Sequence, residues 1–260
     1  MLADAAFGYG HMKSKSTHSK VVAIIQARMG STRLPGKVLT EIHGHPMLWH
    51  VVRRTRAAKT LDQVIVATTT EPADDAIVAF CSEHGVVFFR GSEMDVLDRY
   101  YQAARQHDAH IIVRITADCP LIDPEIIDKT VRAFLSENPD YASNSIVRCY
   151  PRGLDTEVIS LQALQSAWHE ARKGYQRTHV TPYIYEDPGR FRTLSVSGDE
   201  DWSAYRWTVD TPEDLEFVRA IYSRGEGKNF LLSDVLQLIQ REPELAEINR
   251  SVAQKALHES

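Results

Sequence analysis

The stretch QARMGSTRLPGKVL, residues 26–39, places Arg28, Arg33 and Lys37 in one segment with Gly30, Ser31 and Gly36. Glycines let a backbone approach an anion and turn its amides inward. Arginine clamps phosphate oxygens at two points, and lysine adds a compact charge. Three cations within ten residues, just after a buried apolar run, suit a triphosphate held at the carboxyl end of a strand, with a solvated basic loop as the alternative. A P-loop is excluded by counting. Gly30 and Gly36 are separated by the five residues STRLP, and Val38 stands where the magnesium-binding hydroxyl would be needed. The dinucleotide fingerprint G-x-G-x-x-G is absent.

Chemistry on phosphate needs positioning and charge neutralisation more than covalent help, and magnesium supplies the latter through one or two carboxylates plus phosphate oxygens and water. Two aspartates stand where strands are expected to end: Asp118 in ITADCP and Asp210 in RWTVDTPEDLE. Either can be a metal ligand or a turn cap, although Asp123 already supplies the cap that follows Asp118. Thr68, Thr69 and Thr70 close another strand, where they serve either a nucleoside or a turn. His43-x-His45 reads as a polar turn, and Cys119 has no base partner in sequence.

The elements that would position these groups follow a regular rhythm. Short apolar runs at 21–27, 63–69, 86–90 and 111–117 read as strands, and segments 46–59, 73–84 and 95–107 as helices. Asp123-Pro124-Glu125 opens a further helix with a cap, a first-turn proline and an early acid. This alternation predicts an α/β fold with a mainly parallel sheet flanked by helices, Rossmann-like in type. After about residue 140 the rhythm loosens into a turn-rich segment, a strand at TEVIS, a helix at 161–173, an irregular or helical piece through HVTPYIYEDP, and a strand near 191–197. WTVD is expected to return to the core as a strand ending in Asp210. A helix capped by Thr211 and two tail helices, 232–241 and 243–258, complete the reading.

A formal net charge of −5 argues against a nucleic-acid-coating protein. The 43% hydrophobic and 25% charged fractions are those of a soluble globular chain. Three scattered cysteines fit a reducing cytoplasm, and no apolar run is long enough to span a bilayer. Residues 1–19 read as a disordered leader or tag, with Gly10-His11-Met12 like a cloning remnant, and 20–260 as one domain. The less regular part is rich in arginine (148, 152, 172, 177, 190 and 192), as though presented to an anion.

IIQARMGSTRLPGKVL resembles the opening signature of the cytidylyltransferases that activate acidic sugars, the acylneuraminate and 3-deoxy-octulosonate synthetases, and is most similar to their SpsF-like branch. The resemblance runs from about Val21 to Glu216. It implies a CTP-dependent transferase in which Arg28 and Lys37 grip the triphosphate, with Arg33 between them and Ala27, Gly30 and Ser31 along the nucleotide. It implies Mg2+ on Asp118 and Asp210, since VDTPEDLE closely resembles the family's second metal motif. RGSEMDVLDRYYQAA resembles its base-recognition stretch, making Gly91, Ser92 and Arg99 candidates beside Thr69; Arg99 can instead pair with Asp95 or Asp98. YPRGLDTEVIS and RTHVTPYI resemble the surroundings of the acceptor, which nominates Arg152, Asp155, Glu157 and His179 and makes 141–200 an acceptor and dimerisation region. The implied partners are CTP and an acidic, sugar-like acceptor, in a homodimer. Two other readings stay open. One is a transferase of the same scaffold using another nucleotide, for which Asp199-Glu200-Asp201 is the nearest D-x-D. The other is a nucleotide-binding member without chemistry.

Overall fold

A computed structural model describes residues 19–187, 189–225 and 230–254. All but Ser19 of the expected leader, and residues 255–258 of the expected last helix, lie outside the described residues. The strands are β1 (Val21–Gln26), β2 (Glu41–Ile42), β3 (His45–Pro46), β4 (Gln63–Thr69), β5 (Val87–Gly91), β6 (Ile111–Thr116), β7 (Tyr141–Ser143), β8 (Glu157–Ser160) and β9 (Thr193–Ser195). The helices are α1 (Met47–Arg56), α2 (Asp75–Glu83), α3 (Val96–Gln106), α4 (Pro124–Glu137), α5 (Leu161–Glu170), α6 (Gly174–His179), α7 (Pro182–Tyr185), α8 (Pro212–Arg224), α9 (Leu232–Arg241) and α10 (Glu244–Glu247).

Seven strands form one sheet in the order β5-β4-β1-β6-β8-β7-β9, in which only β8 runs against the others. Ile24 of β1 lies between Ile65 of β4 and Arg114 of β6. Because strand side chains alternate, the apolar runs bury on both faces at once. Val21, Ala23 and Ile25 pack with Val113, Ile115, Leu48, Val131 and Val218 on one face. Val22 and Ile24 pack with Ile112, Tyr100, Ala104 and Leu164 on the other. The chain leaves β1 toward β4 and leaves β6 in the opposite direction. The carboxyl ends of these two neighbours therefore border the crevice where open α/β sheets take ligands.

Three sequence expectations need correction. WTVD is not a sheet strand: Trp207 N donates to Arg152 O at 2.6 Å and Val209 N to Asp118 O at 2.8 Å, so the segment straps two separate stretches of chain instead of pairing along one. The helix after β8 stops at Glu170, where Ala171 turns extended and Arg177 Nη1 takes the Trp168 carbonyl at 2.9 Å. The last helix spans only Glu244–Glu247 before turns, and Asn249 there reaches inward to Arg206 O at 2.8 Å. The unforeseen hairpin β2–β3 turns on His43 and Gly44, both at positive φ, which agrees with a polar turn at His43-x-His45.

Candidate active site

β1 ends at Gln26, and residues 28–36 wrap back on themselves. Ser31 N and Gly36 N both donate to Met29 O, at 2.9 and 3.1 Å. Gly36, at φ 71°, turns the chain into a short 3-10 turn that begins at Lys37. A buried carboxylate secures the loop from below. Asp74 Oδ1 accepts from Met29 N at 2.7 Å, while its Oδ2 takes Thr69 N at 3.2 Å and the Thr69 hydroxyl. Thr69 therefore braces the end of β4 on Asp74.

Lys37, Asp118 and Asp210 meet in the crevice. Lys37 Nζ lies 3.0 Å from Asp118 Oδ2, 2.8 Å from Asp210 Oδ1 and 2.7 Å from Val209 O, which uses all three ammonium donors. Arg33 reaches Asp210 Oδ2 at 3.0 Å, and Arg206 reaches the same oxygen at 2.7 Å. Arg206 is locked in turn by the fully buried Asp214, which also accepts from Asp210 N at 2.9 Å and caps α8 with Thr211. Burial pushes the Asp118 carboxyl up, but Lys37 and the Thr116 hydroxyl more than reverse this and hold it at about 2. Burial likewise pulls the Lys37 ammonium down, and the two aspartates raise it above its usual range. Burial and the adjacent Asp118 charge push the Cys119 thiol far up, so it is a poor nucleophile.

A cleft of about 460 Å3 opens over this cluster, lined among others by Ala27, Arg28, Gly30, Ser31, Arg99 and His179. Arg28 is half exposed and touches Glu93 at 3.5 Å. Arg99 pairs with neither Asp95, which takes Arg177 at 2.6 Å, nor Asp98, which takes Gln102 and Trp168. It is 1% exposed, its Nη1 donates to Ser92 O at 2.8 Å, and its Nε has no hydrogen-bond partner. Gly91 and Ser92 support Arg99 without lining the cleft. A Cβ on Gly91 would come within 3.1 Å of Arg99 Cγ.

A second cavity of about 360 Å3 shares His179 with the first and is lined by Arg114, Tyr141, Arg148, Glu157 and Tyr185. Glu157 there accepts from Arg114 and, at 2.9 Å, from the Tyr141 hydroxyl. Asp155 grips Arg148 through two bonds of 2.5 and 2.9 Å. Arg152 is not brought to this group. It lines a separate cavity of about 560 Å3 with Arg206 and Trp207. The arginines of the less regular half are largely engaged internally: Arg148 with Asp155, Arg177 with Asp95, Arg190 with Glu170, and Arg192 on the carbonyls of Glu137 and Asn138. Asp199-Glu200-Asp201 lies in a surface loop, where Asp201 caps Ser203 N at 2.9 Å.

Asp118 and Asp210 offer hard oxygen donors close enough for one cationic nitrogen to bridge. No group of three or more His, Cys, Asp or Glu suited to a metal occurs among the described residues. The donor set fits a magnesium-type ion that keeps most of its shell for phosphate and water. Sequence reasoning missed Asp74, Arg206 and Asp214. No spacing marked the last two, because Arg206 lies ahead of α8 in non-helical chain and meets Asp214 only through the fold.

A sequence model of the cytidylyltransferase family matches residues 22–239. The spore coat polysaccharide biosynthesis protein SpsF of Bacillus subtilis is 35% identical over 234 residues, which is 87% of this chain and 96% of that one. An uncharacterized protein of Methanocaldococcus jannaschii is 40% identical over 242 residues, 92% of this chain and 98% of its own. The solved structure of a cytidylyltransferase from Leptospira borgpetersenii superposes with a TM-score of 0.86 at 35% identity, covering 92% of this chain and all of that one.

Proposed function

Because the chain belongs to the cytidylyltransferase family, in its SpsF-like branch, and is a CTP-dependent nucleotidyltransferase, we propose that it joins CMP from CTP to an acidic, sugar-like acceptor for surface polysaccharide or glycoconjugate synthesis. The observation that carries this reading is the convergence of Lys37, Asp118 and Asp210, 173 residues apart at the extremes, on one point below a cationic loop. In the reaction an acceptor hydroxyl oxygen forms a bond to the α-phosphorus and gives up its proton to solvent, the bond from that phosphorus to the bridging oxygen breaks, and pyrophosphate leaves with the bridging electron pair. Arg28, Arg33 and Lys37 bind the phosphates and neutralise the leaving group. Asp118 and Asp210 hold Mg2+, which when bound supplies charge neutralisation at the α-phosphate.

Arg99, buried with an unpartnered Nε and raised by its helix to the cleft, is the group for the pyrimidine. The acceptor belongs in the neighbouring cavity, where His179 touches both spaces. Its arginines already carry carboxylate partners, although Arg114 keeps an unpartnered Nε, so an acidic acceptor takes that free donor or displaces a carboxylate. Asp155, whose side chain is 37% exposed, is easier to displace than Glu157 at 10%. The family likeness extends the reading to a cytoplasmic homodimer.

A pyrophosphate-release assay with the four nucleoside triphosphates, magnesium and a panel of sugar acids and small phosphonates tests this. Release with CTP and one acidic acceptor is expected. Release with another triphosphate, or no release from any acceptor together with no thermal stabilisation by CTP, would overturn the reading.

A further inference from the structure

The two carboxylates assigned to the metal already share a cation, and that cation belongs to the protein. Lys37 Nζ is held by Asp118 Oδ2, Asp210 Oδ1 and Val209 O at 3.0, 2.8 and 2.7 Å, and its side chain is only 11% exposed. An ion of the magnesium type binds carboxylate oxygen at about 2.0–2.1 Å. A dication taking one oxygen from each aspartate would therefore compete for the space and the lone pairs that Nζ uses. Two like charges at such separation repel strongly in a partly buried site.

We propose that Lys37 is the internal counter-cation of the metal site: ammonium and dication occupy it in turn, and the triphosphate drives the exchange by drawing Lys37 away. This rests on the reading of Asp118 and Asp210 as the metal carboxylates. The surrounding contacts separate what stays from what moves. Arg206 also touches Asp210, but it is fixed by two bonds to buried Asp214 and one to Gln254, so it holds the Asp210 carboxylate in both states. Lys37 has a flexible four-carbon stem and follows a glycine at positive φ. It is also the sole cation within ion-pair distance of Asp118 among the described residues. Its departure leaves Asp118 without a counter-charge beside Asp210, and that creates the demand for a dication. The consequence is binding order: the site takes metal poorly until nucleotide phosphate has claimed Lys37.

The test is Mn2+ titration of nucleotide-free protein, read by the electron paramagnetic resonance signal of the free aquo ion, for wild type, Lys37→Met, and Lys37→Met combined with Asp118→Asn or Asp210→Asn. Lys37→Met is expected to bind Mn2+ about tenfold more tightly than wild type, or better. Mg2+ is expected to raise its melting temperature while leaving that of nucleotide-free wild type unchanged. Each double variant should lose the gain. Lys37→Met binding Mn2+ no more tightly than wild type overturns the proposal. In that case, loss of magnesium-dependent turnover in Asp118→Asn alone keeps the metal-site reading standing. A gain that survives both aspartate changes instead places the ion elsewhere and sinks that reading. Should Lys37→Met lose its fold through carboxylate repulsion, recovery of circular dichroism on adding Mg2+ supports the proposal and failure to recover counts against it.

Discussion

Asp118 is held by contacts of two kinds, and substitution separates them. Its backbone oxygen accepts from Val209 N at 2.8 Å and the Thr208 hydroxyl at 3.2 Å, contacts that an asparagine keeps. Its carboxylate faces Lys37 and the Thr116 hydroxyl, and only there does the charge matter. Asp118→Asn should therefore fold normally while turnover falls by about 10²–10³, the usual scale for losing one preorganised charge-stabilising group. Steady-state pyrophosphate release and near-ultraviolet circular dichroism together check this; wild-type turnover at saturating magnesium would remove Asp118 from the metal site. Lys37 and Asp118 were legible because each sits in a motif with a chemical reason of its own, a cationic glycine loop and a strand end already supplied with a separate cap. Arg206 was not legible. It looks like any arginine before a tryptophan, and its meaning comes from Asp214, Asn249 and Gln254, which meet it only in three dimensions. Arg148, Arg177 and Arg190 were half legible for the same reason, since sequence shows a cation but not the carboxylate folded against it.

The strap from Tyr205 to Asp210 carries one proposed metal ligand without being a strand, and one glycine makes its path possible. Gly153 has φ 103°, and a Cβ there would lie 2.5 Å from both Thr208 N and Trp207 C. The clash is with backbone, so no side-chain rotation relieves it. Gly153→Ala should destabilise by on the order of 3 kcal/mol or more, combining strain with forced displacement of the strap. Since the strap ends in Asp210, turnover should drop further than stability alone explains. Thermal melting and pyrophosphate release at a temperature where the variant remains folded check both parts; an unchanged melting temperature would refute the account. Elements whose local signals agreed were legible: β4 appears at the expected 63–69, and the caps at Asp123 and Thr211 are made as the residue types require. The strap and the short final helix were not. WTVD has strand-like composition, but its hydrogen bonds are divided between Arg152 and Asp118, and the last helix yields where Asn249 is pulled toward Asp214.

At the scale of the molecule, the layer behind the cleft depends on α1 remaining docked between the β2–β3 hairpin and α8, and a neutral histidine sits at that junction. His50 is 3% exposed, with Nε2 donating to Ile42 O at 2.7 Å and its ring 4.3 Å from that of Tyr222. Tyr222 in turn donates to Pro120 O at 2.7 Å, next to the end of β6 that bears Asp118. Burial pushes the His50 pKa down to about 4, against the attraction of the Ile42 carbonyl, and His45, Arg53 and Arg54 push the same way as burial. The sign follows from which state takes the proton. Above the unfolded value near 6.5 both states are neutral and stability is complete. As pH falls from there toward 4 the unfolded chain binds a proton that the folded one refuses, so stability declines across that window and the loss levels off once the folded form also titrates. A shift of this size corresponds to a loss on the order of 3 kcal/mol. Urea denaturation at pH 7.5 and pH 4.5 should show it in wild type. His50→Gln has no proton to gain, so although it starts from lower stability at pH 7.5 it should lose markedly less between the two pH values. Equal losses in the two proteins would place the acid sensitivity elsewhere and release α1 from any part in it.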